Sequence, residues 1–284
     1  MLTVVRGAGD IATGIALRLW RSGIRVVMTD LPHPTAIRRT VCFSQAIVLG
    51  ETQVEGISAR AAASPGEALR VLEEDSVPVL ADPEAACVSV LRPDVLVDAI
   101  LAKRNLGTRI TAAPIVVAAG PGFTAGVDCH AVVETMRGHY LGRVLYEGSA
   151  QPNTAVPGLI GGAAGERVLR APDSGVFRQL LEIGARVRAG DAVGEVNGKP
   201  MVCTIDGVLR GVLPDGTPVS RGMKSGDVDP RDVADHCRTV SDKALAVGGG
   251  VLEAVLRLSG ALRPGTVRGP RPPARQPLCG LEWV

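Results

Sequence analysis

The chain is poor in aromatic residues, which make up only 2% of its 284 residues. It also lacks an excess of either charge, since 31 basic and 29 acidic residues leave a formal net charge of +2. Proteins that bind nucleic acids need a basic surface for the phosphates and, for single strands, aromatic side chains on which bases stack. We therefore expect no nucleic-acid partner.

Long apolar segments are missing as well. The longest apolar runs have the length of a strand, far below the ~18 consecutive apolar residues of a membrane span. The first residues do not resemble a signal peptide and lead directly into a glycine motif. We expect a soluble cytoplasmic protein with no membrane partner.

Cysteine pairs with metal-ligand or redox spacing are also lacking. The six cysteines contain no CxxC pair, which is typical of free, mostly buried thiols in a cytoplasmic protein. They are Cys42, Cys87, Cys129, Cys203, Cys237 and Cys279.

The first half of the chain alternates β-rich runs with helical patterns. Strands are predicted at residues 2–6, 25–30, 45–49, 77–81, 94–99 and 114–119, and helices at residues 10–21, 65–74 and 83–91. This alternation predicts an α/β fold class, with a Rossmann-like parallel sheet and helices on both faces.

Residues 167–228 differ, because they are rich in glycine and contain an internal repeat. Gly175-Val176-Phe177-Arg178 matches Gly207-Val208-Leu209-Arg210, and three later matches keep the same offset of 32 positions. Two such copies predict a small all-β sandwich with pseudo-twofold symmetry. The repeat resembles the barrel-sandwich of biotinyl and lipoyl carrier domains.

Four regions follow from this organisation. Residues 1–160 are predicted to form the Rossmann-like nucleotide-binding domain, and residues 161–232 the barrel-sandwich. Residues 233–262 are predicted to hold a C-terminal helix, and the proline-rich residues 263–284 a disordered tail.

The first predicted strand ends in a GxGxxA motif, and a helix follows at once. Gly7 permits the tight turn, Gly9 lets a pyrophosphate approach the backbone, and Ala12 lets the helix pack close to the strand. Asp30 ends the second strand, where an acid can hold a ribose hydroxyl. The motif therefore predicts a nucleotide or dinucleotide site.

Two further residues of this region are assigned to the same predicted site, Asp10 and Gly14. A carboxylate at Asp10 lowers the affinity for phosphate unless a cation offsets it. It can equally be an acid that interacts with the helix dipole.

A second polar cluster is predicted beyond the strands at residues 94–99 and 114–119. Lys103 and Arg104 follow the first of these strands, and a loop that includes Gly120 and Gly122 follows the second. Because the carboxyl ends of parallel strands share one edge of a sheet, we expect these loops to face the nucleotide.

Groups that can move protons or bind metal follow directly. His130 and Glu134 would share one face of a helix, and Asp128, Cys129 and His139 lie nearby. We treat His130, Glu134, Cys129 and His139 as candidate catalytic residues. Asp128, His130 and Glu134 could hold a metal, although their spacing matches no standard zinc motif. A polar pocket, or a helix capped by Asp128, explains them equally well.

Several of these motifs together resemble one family, the accessory proteins of selenium-dependent molybdenum hydroxylases of the YqeB type. The resemblance extends to about residue 258. The blocks that carry it begin at Arg6, Asp98, Gly120, Asp128, Arg137 and Gly226 and read RGAGDIATG, DAILAKRN, GPGF, DCHAVVET, RGH and GDVDPR.

The resemblance implies a role in maturation of a molybdenum hydroxylase, but no reaction. The ligand would be a nucleotide or a nucleotide-bearing cofactor, either NAD(P) or a molybdopterin dinucleotide. Expected partners are that small molecule, a client molybdenum hydroxylase or other maturation proteins, and a second copy of the chain.

Two alternatives remain open. One is an NAD(P)-dependent oxidoreductase, which needs a proton donor such as His130 or His139 near the nicotinamide. The other is a carrier or docking module built on the barrel-sandwich. In carrier domains a lysine at the corresponding hairpin is modified, and Lys199 stands there, although Asn197-Gly198 is also a common hairpin turn.

Overall fold

The structure is a computed structural model that describes residues 1–154 and 156–261. The predicted disordered tail at residues 263–284 lies outside these ranges. The first part of the chain forms β1 (Leu2–Arg6), α1 (Asp10–Arg21), β2 (Arg25–Asp30), α2 (Gln45–Leu49), β3 (Glu51–Val54), β4 (Ile57–Ala62), α3 (Pro65–Glu73), β5 (Val77–Ala81), α4 (Val88–Leu91), β6 (Val95–Asp98), β7 (Ile115–Ala119), β8 (Thr124–Ala125), β9 (Ala131–Val133), β10 (Val144–Leu145) and β11 (Gly148–Ser149).

The second part of the chain forms mostly short strands and ends in a long helix. These elements are β12 (Val168–Arg170), β13 (Gly175–Gln179), β14 (Arg186–Val187), β15 (Ala192–Val196), β16 (Lys199–Val202), β17 (Gly207–Val212), β18 (Pro218–Val219), β19 (Lys224–Asp229) and α5 (Asp242–Leu258). Two 3₁₀ turns lie at Arg39–Val41 and Ala234–Cys237. None of the helices within the described ranges is long and apolar enough to cross a membrane.

Nine strands form the large sheet, in the order β10-β9-β7-β6-β1-β2-β5-β4-β3. The seven strands from β9 to β4 in this order are parallel to their neighbours. The two edge strands, β10 and β3, run antiparallel to theirs. The parallel arrangement brings the carboxyl ends of β1, β2 and β6 to one edge of the sheet.

The predicted fold class, a parallel sheet with helices on both faces, is wrong. The sheet is mixed, and the described residues are only 21% helix against 31% strand. Helices α1 and α5 cover one face, whereas α3, the four-residue α4 and irregular loops cover the other. The remainder of the chain adds separate antiparallel sheets rather than further helix–strand units.

Two predicted elements differ in detail. Residues 45–49 form a helix and not a strand, because a short apolar run has no period that separates the two. Residues 83–91 form a helix only at Val88–Leu91. Upstream, the Asp82 carboxylate accepts hydrogen bonds from the Ala86 and Cys87 N–H groups, which holds the chain in a turn.

Two four-stranded antiparallel sheets form the second part, in the orders β12-β19-β17-β14 and β16-β15-β13-β18. Strands that correspond in the 32-residue repeat occupy equivalent positions in the two sheets. Each sheet therefore combines strands from both copies. Phe177, Leu209 and Val228 lie in the apolar core between the sheets.

The segment after β2 ties the two parts together. Ile37 packs against the core of the antiparallel sheets, and its carbonyl accepts a hydrogen bond from the Val212 N–H. Arg39 donates to the Val212 carbonyl and to Gln179. Because this segment leaves the carboxyl end of β2, it holds the antiparallel sheets next to that edge of the large sheet.

Helix α5 packs side by side with α1 through small residues. A Cβ atom on Gly14 would lie 2.7 Å from the Ala244 Cβ, and one on Gly248 would lie 2.6 Å from the Gly14 carbonyl oxygen. Gly248 also lies beside Arg18, one turn further along α1. The contacts advance in the same direction along both helices, so the helices are parallel and their N-termini lie at the same end.

This contact predicts opposite effects for two neighbouring glycines of α5. Alanine is the better helix former by about 1 kcal/mol. Gly249→Ala, where an added Cβ meets no atom within 4 Å, should raise the free energy of unfolding by up to that amount. Gly248→Ala should lower it by about 1 kcal/mol or more, because the helices must separate. Urea denaturation of both variants measures the difference, and equal effects would contradict the parallel contact.

Candidate functional site

A cleft of about 1200 Å³ lies between the carboxyl edge of the large sheet and the antiparallel sheets. Its floor is the turn from β1 into α1 together with the ends of β2 and β6. One wall is formed by Arg167, β17 and β19, and the other by residues 135–137 together with residues from 151–154 and 156–160. Ser241 and Lys243, at the start of α5, complete the lining.

The turn between β1 and α1 has the backbone that the glycine motif predicts. Gly7 has a positive φ of 107°, and a Cβ there would lie 2.8 Å from the Ala99 carbonyl oxygen. Gly9 is the N-cap residue, makes no side-chain cap and would direct a Cβ into open space. The first turn of α1 therefore lines the cleft without a side-chain cap.

Gly14 lies elsewhere. It is buried against Ala244 in the contact between α1 and α5, so its role is helix packing and it does not line the cleft. The packing nevertheless shapes the site, because it brings the N-termini of two parallel helices to one cleft. Each contributes partial positive charge there.

The Asp10 carboxylate is neutralised by Arg38, which no sequence motif indicates. Arg38 Nη1 lies 2.8 Å from Asp10 Oδ2, and Arg38 is 5% exposed. The other Nη atom of Arg38 donates to the carbonyls of His236 and Thr239. The ion pair removes the repulsion that a free Asp10 carboxylate would exert on a bound anion.

Asp30 lines the cleft at the end of β2. Its Oδ2 accepts a hydrogen bond of 2.8 Å from the Ala8 N–H, and its Oδ1 accepts one of 2.7 Å from the Leu31 N–H. Burial raises the pKa of this carboxyl group, and the two hydrogen bonds partly oppose that rise. Each oxygen keeps a further lone pair that can accept a hydrogen bond from a hydroxyl group.

Lys103 lines the cleft from the loop after β6. Both Leu101 and Lys103 have positive φ angles, of 61° and 64°, which are costly for residues with a side chain. The loop is held from below, where Thr108 donates to the buried Asp98 carboxylate and Arg6 donates to Thr108. Burial raises the pKa of Asp98, and the hydrogen bonds from Thr108 and the Ile100 N–H and the charge of Arg6 only partly oppose that rise.

Three further predicted residues lie outside the cleft lining, namely Arg104 in the same loop and Gly120 and Gly122 in the loop after β7. Arg104 is exposed and does not line the cleft. Gly122 packs against the Arg104 backbone, where a Cβ would lie 2.5 Å from its Cα, and Gly120 packs against Thr135. The glycines permit close loop packing, and only Pro121 between them lines the cleft.

The predicted helix at residues 130–134 is absent, because these residues form β9 and the residue after it. His130 and Glu134 therefore lie at opposite ends of a three-residue strand. Glu134 is 3% exposed, and its oxygens accept hydrogen bonds from the N–H groups of Thr135, Met136 and Gln151. Its role here is to hold the wall segment in place.

The remaining predicted catalytic and metal residues also lie away from the cleft lining. Asp128 accepts hydrogen bonds from Thr124 and Asn105, and His130 Nδ1 accepts one from the Val116 N–H. Cys129 is fully buried, which together with Asp128 raises the pKa of its thiol to about 12. His139 is exposed beside Tyr140.

Metal ligands do not cluster here. Within residues 1–154 and 156–261, no group of three or more histidine, cysteine, aspartate or glutamate side chains is placed to hold a metal ion.

A buried ionic network forms the wall contributed by β19. Asp227 pairs with Arg167 and Arg210, and Asp229 pairs with Arg210 and Arg231. Burial opposes ionisation of Asp229, but hydrogen bonds from Arg231 and Arg210 outweigh it and hold the pKa well below its usual range. The GDVDPR block therefore builds this wall.

Positive charge predominates in the cleft, whose lining contains eight basic and four acidic side chains. Every lining arginine is ion-paired. By contrast, the side-chain ammonium groups of Lys103, Lys224 and Lys243 make no ion pair or hydrogen bond with any residue that the structure describes.

The scarcity of lysine in the sequence is a feature that could have indicated these residues. The chain contains only four lysines against 27 arginines, and three of the four line the cleft. The fourth, Lys199, lies at the hairpin of the antiparallel sheets and pairs with Asp173 at 2.7 Å. Asn197 and Gly198 have the positive φ angles of a tight turn, which accounts for this hairpin without a modified lysine.

Comparison with known proteins gives one curated relative with extensive sequence similarity. Over 257 residues, which are 90% of this chain, the sequence is 50% identical to the protein described as "Uncharacterized protein YqeB" of Escherichia coli (strain K12). The chain resembles YqeB. It spans 48% of the length of that relative. The comparison supports the resemblance to YqeB that the motifs predicted, and it carries no information on molybdenum. No protein-family model matches the chain.

Solved structures give only distant similarity. A succinylglutamate desuccinylase/aspartoacylase from Rhodobacter sphaeroides is 16% identical, with 80% of this chain and 86% of that chain covered and a TM-score of 0.23. A succinylglutamate desuccinylase from Silicibacter sp. TM1040 is 14% identical, with coverages of 80% and 84% and a TM-score of 0.24. TM-scores this low carry no argument about fold or function.

The buried ionic network around Asp229 predicts that Asp229→Asn has a pH-dependent effect on the free energy of unfolding. The pKa of Asp229 is lower in the folded protein than the ~3.9 of an unfolded aspartate, so its ionisation stabilises the fold above that pH. We expect the substitution to lower the free energy of unfolding by about 3 kcal/mol at pH 7, because Arg210 and Arg231 lose their partner.

The deficit relative to the native protein should shrink as the pH falls below about 4, because Asp229 then becomes protonated in the unfolded chain while it stays ionised in the folded protein. Denaturant titrations at pH 7 and pH 3 measure it. The exposed Asp235→Asn serves as the control and should stay within about 0.5 kcal/mol of the native protein. An Asp229→Asn deficit that does not change with pH would contradict the assignment.

Proposed function

We propose that the cleft binds a nucleotide or a nucleotide-bearing cofactor through its phosphate groups, and that the protein is an accessory factor in maturation of a molybdenum-dependent hydroxylase. One observation carries the binding proposal. Unpaired lysines and the N-termini of two parallel helices face the same cleft. Such an arrangement favours a phosphate-bearing ligand.

The dimensions and polar groups of the cleft fit this class of ligand. Its volume of about 1200 Å³ exceeds the ~300–1000 Å³ of most small-molecule sites, so it can enclose a nucleotide and further groups. The first turn of α1 and the lysines would hold phosphate. Asp30 has acceptor capacity for sugar hydroxyls at the end of β2.

The maturation role rests on the resemblance, and the structure supplies supporting detail. The blocks beginning at Arg6 and Asp98 form the floor of the cleft, and the block beginning at Gly226 builds its wall. A molybdopterin dinucleotide could be held by the same residues through its nucleotide portion. A client hydroxylase would then receive the cofactor from this protein or from other maturation proteins.

The oxidoreductase alternative has less support. It needs a proton donor beside the nicotinamide, and the two candidates, His130 and His139, both lie outside the cleft lining. The carrier alternative needs Lys199 as the modified residue. Its side chain is exposed, but it is paired with Asp173 at a hairpin that the Asn197-Gly198 turn already explains.

Gly9→Val tests the binding proposal. Its φ of −75° is accessible to valine, and its Cβ meets open space, so the protein should fold while the side chain enters the phosphate region. We expect the affinity for the nucleotide that binds best among AMP, CMP, GMP and NAD to fall at least about tenfold in calorimetry, which corresponds to ~1.4 kcal/mol.

Gly66→Val is the matched control, since it lies on α3 away from the cleft and its Cβ has only one neighbour, at 4.0 Å. Equal nucleotide binding by both variants would contradict the proposed site. For the maturation role, the native host with Gly9→Val should lose molybdenum hydroxylase activity. Unchanged activity would refute that role and leave nucleotide binding to be judged by calorimetry.

A further inference from the structure

Two of the unpaired lysines belong to different parts of the molecule but line the cleft at the N-terminal end of α1. Lys224 begins β19 in the antiparallel sheets, and Lys243 lies in the first turn of α5. Both line the cleft together with Gly9 and Asp10. The first turn of α1, Lys224 from the antiparallel sheets and Lys243 from α5 therefore line the same cleft.

The electrostatic surroundings show that these lysines share one region. Loss of water around Lys243 lowers its pKa, and the charges of Arg137 and Lys224 lower it further. The surrounding protein likewise lowers the pKa of Lys224. The Asp10 carboxylate opposes the shift of both lysines, so both lie within reach of its charge.

Their positive charge is not balanced by the protein. Asp10 is neutralised by Arg38, and Asp242 pairs with Arg137 at 2.7 Å. That second pair lowers the pKa of Asp242 to about 2. On the wall, Asp227 is shared between two arginines. Two formal positive charges, on Lys224 and Lys243, are therefore left at the end of α1.

We propose that this region binds a terminal phosphate monoester, held jointly by the first turn of α1, Lys243 of α5 and Lys224 of β19. The inference rests on the proposed function and narrows its ligand to one that ends in such a group. Three sets of donors come from three elements, and a terminal phosphate has three unesterified oxygens to meet them. Its charge of nearly −2 at neutral pH balances the two lysines.

A phosphodiester fits less well. Its phosphorus atom keeps only two unesterified oxygens and one negative charge, so one donor set and one lysine would remain unsatisfied. A terminal phosphate also bridges the two parts of the molecule, because Lys224 belongs to the antiparallel sheets and α1 to the large sheet. Ligand binding would thus fasten one part to the other.

Methyl phosphate and dimethyl phosphate test the inference, because they differ by one methyl group and one negative charge. At pH 8 methyl phosphate is a dianion, since its second pKa is near 6. Titration calorimetry of the full chain should give methyl phosphate an affinity at least about tenfold higher than that of dimethyl phosphate.

Lys224→Met and Lys243→Met should each weaken methyl phosphate binding about tenfold, because each removes a charged hydrogen bond. Lys199→Met, which removes the one lysine outside the cleft, is the control and should leave binding unchanged. Without ligand, Lys243→Met should raise the melting temperature, because it removes a desolvated charge that is repelled by Arg137 and Lys224. If Lys243 served only to stabilise the fold, its substitution would lower the melting temperature.

The outcomes separate this inference from the proposed function. Equal affinity for the two phosphates, or undiminished methyl phosphate binding by both cleft variants, overturns the terminal phosphate site. Binding of NAD or a nucleotide without binding of methyl phosphate also overturns the terminal phosphate site. In that case the proposed function stands. Failure of every nucleotide and of methyl phosphate to bind overturns both.

Discussion

The close contact between α1 and α5 is the constraint on which the site depends. Gly14, Ala244 and Gly248 leave no space for larger side chains, so the two helices lie parallel with their N-termini together. Parallel helix dipoles repel each other, and each adds partial positive charge at the same place. A bound anion relieves this repulsion. The packing of the core and the chemistry of the cleft are thus set by the same three small residues.

The positive charge of the cleft comes from arginines and lysines, which have different roles. The arginines are structural, because each is paired with a carboxylate and most are buried, as in the network of Asp227 and Asp229 with Arg167 and Arg210. The lysines remain unpaired within the described part of the chain. Arginine suits fixed planar pairing, whereas a lysine ammonium can turn its three donors toward a ligand. The arginines therefore stabilise the walls of the cleft, and the lysines are available to bind a ligand.

Local features of the site could be predicted from the sequence, and long-range ones could not. The β1 turn and Asp30 follow from glycine spacing and strand length within thirty residues. The helix predicted at residues 130–134 is instead a strand, because Ala131, Val132 and Val133 suit a buried strand as well as a helix. Lys224, Lys243 and Arg38 reach the cleft only through packing between distant segments. The antiparallel edge strands, which make the sheet mixed, depend equally on pairing that no local pattern specifies.

The most direct test is a crystal structure of the protein with adenosine 5′-thiophosphate, whose sulfur atom marks the phosphate by anomalous scattering. The account predicts a sulfur signal in the cleft, between the first turn of α1 and the ammonium groups of Lys224 and Lys243. A thiophosphate bound with full occupancy anywhere else, with this end of the cleft filled by solvent, would contradict it.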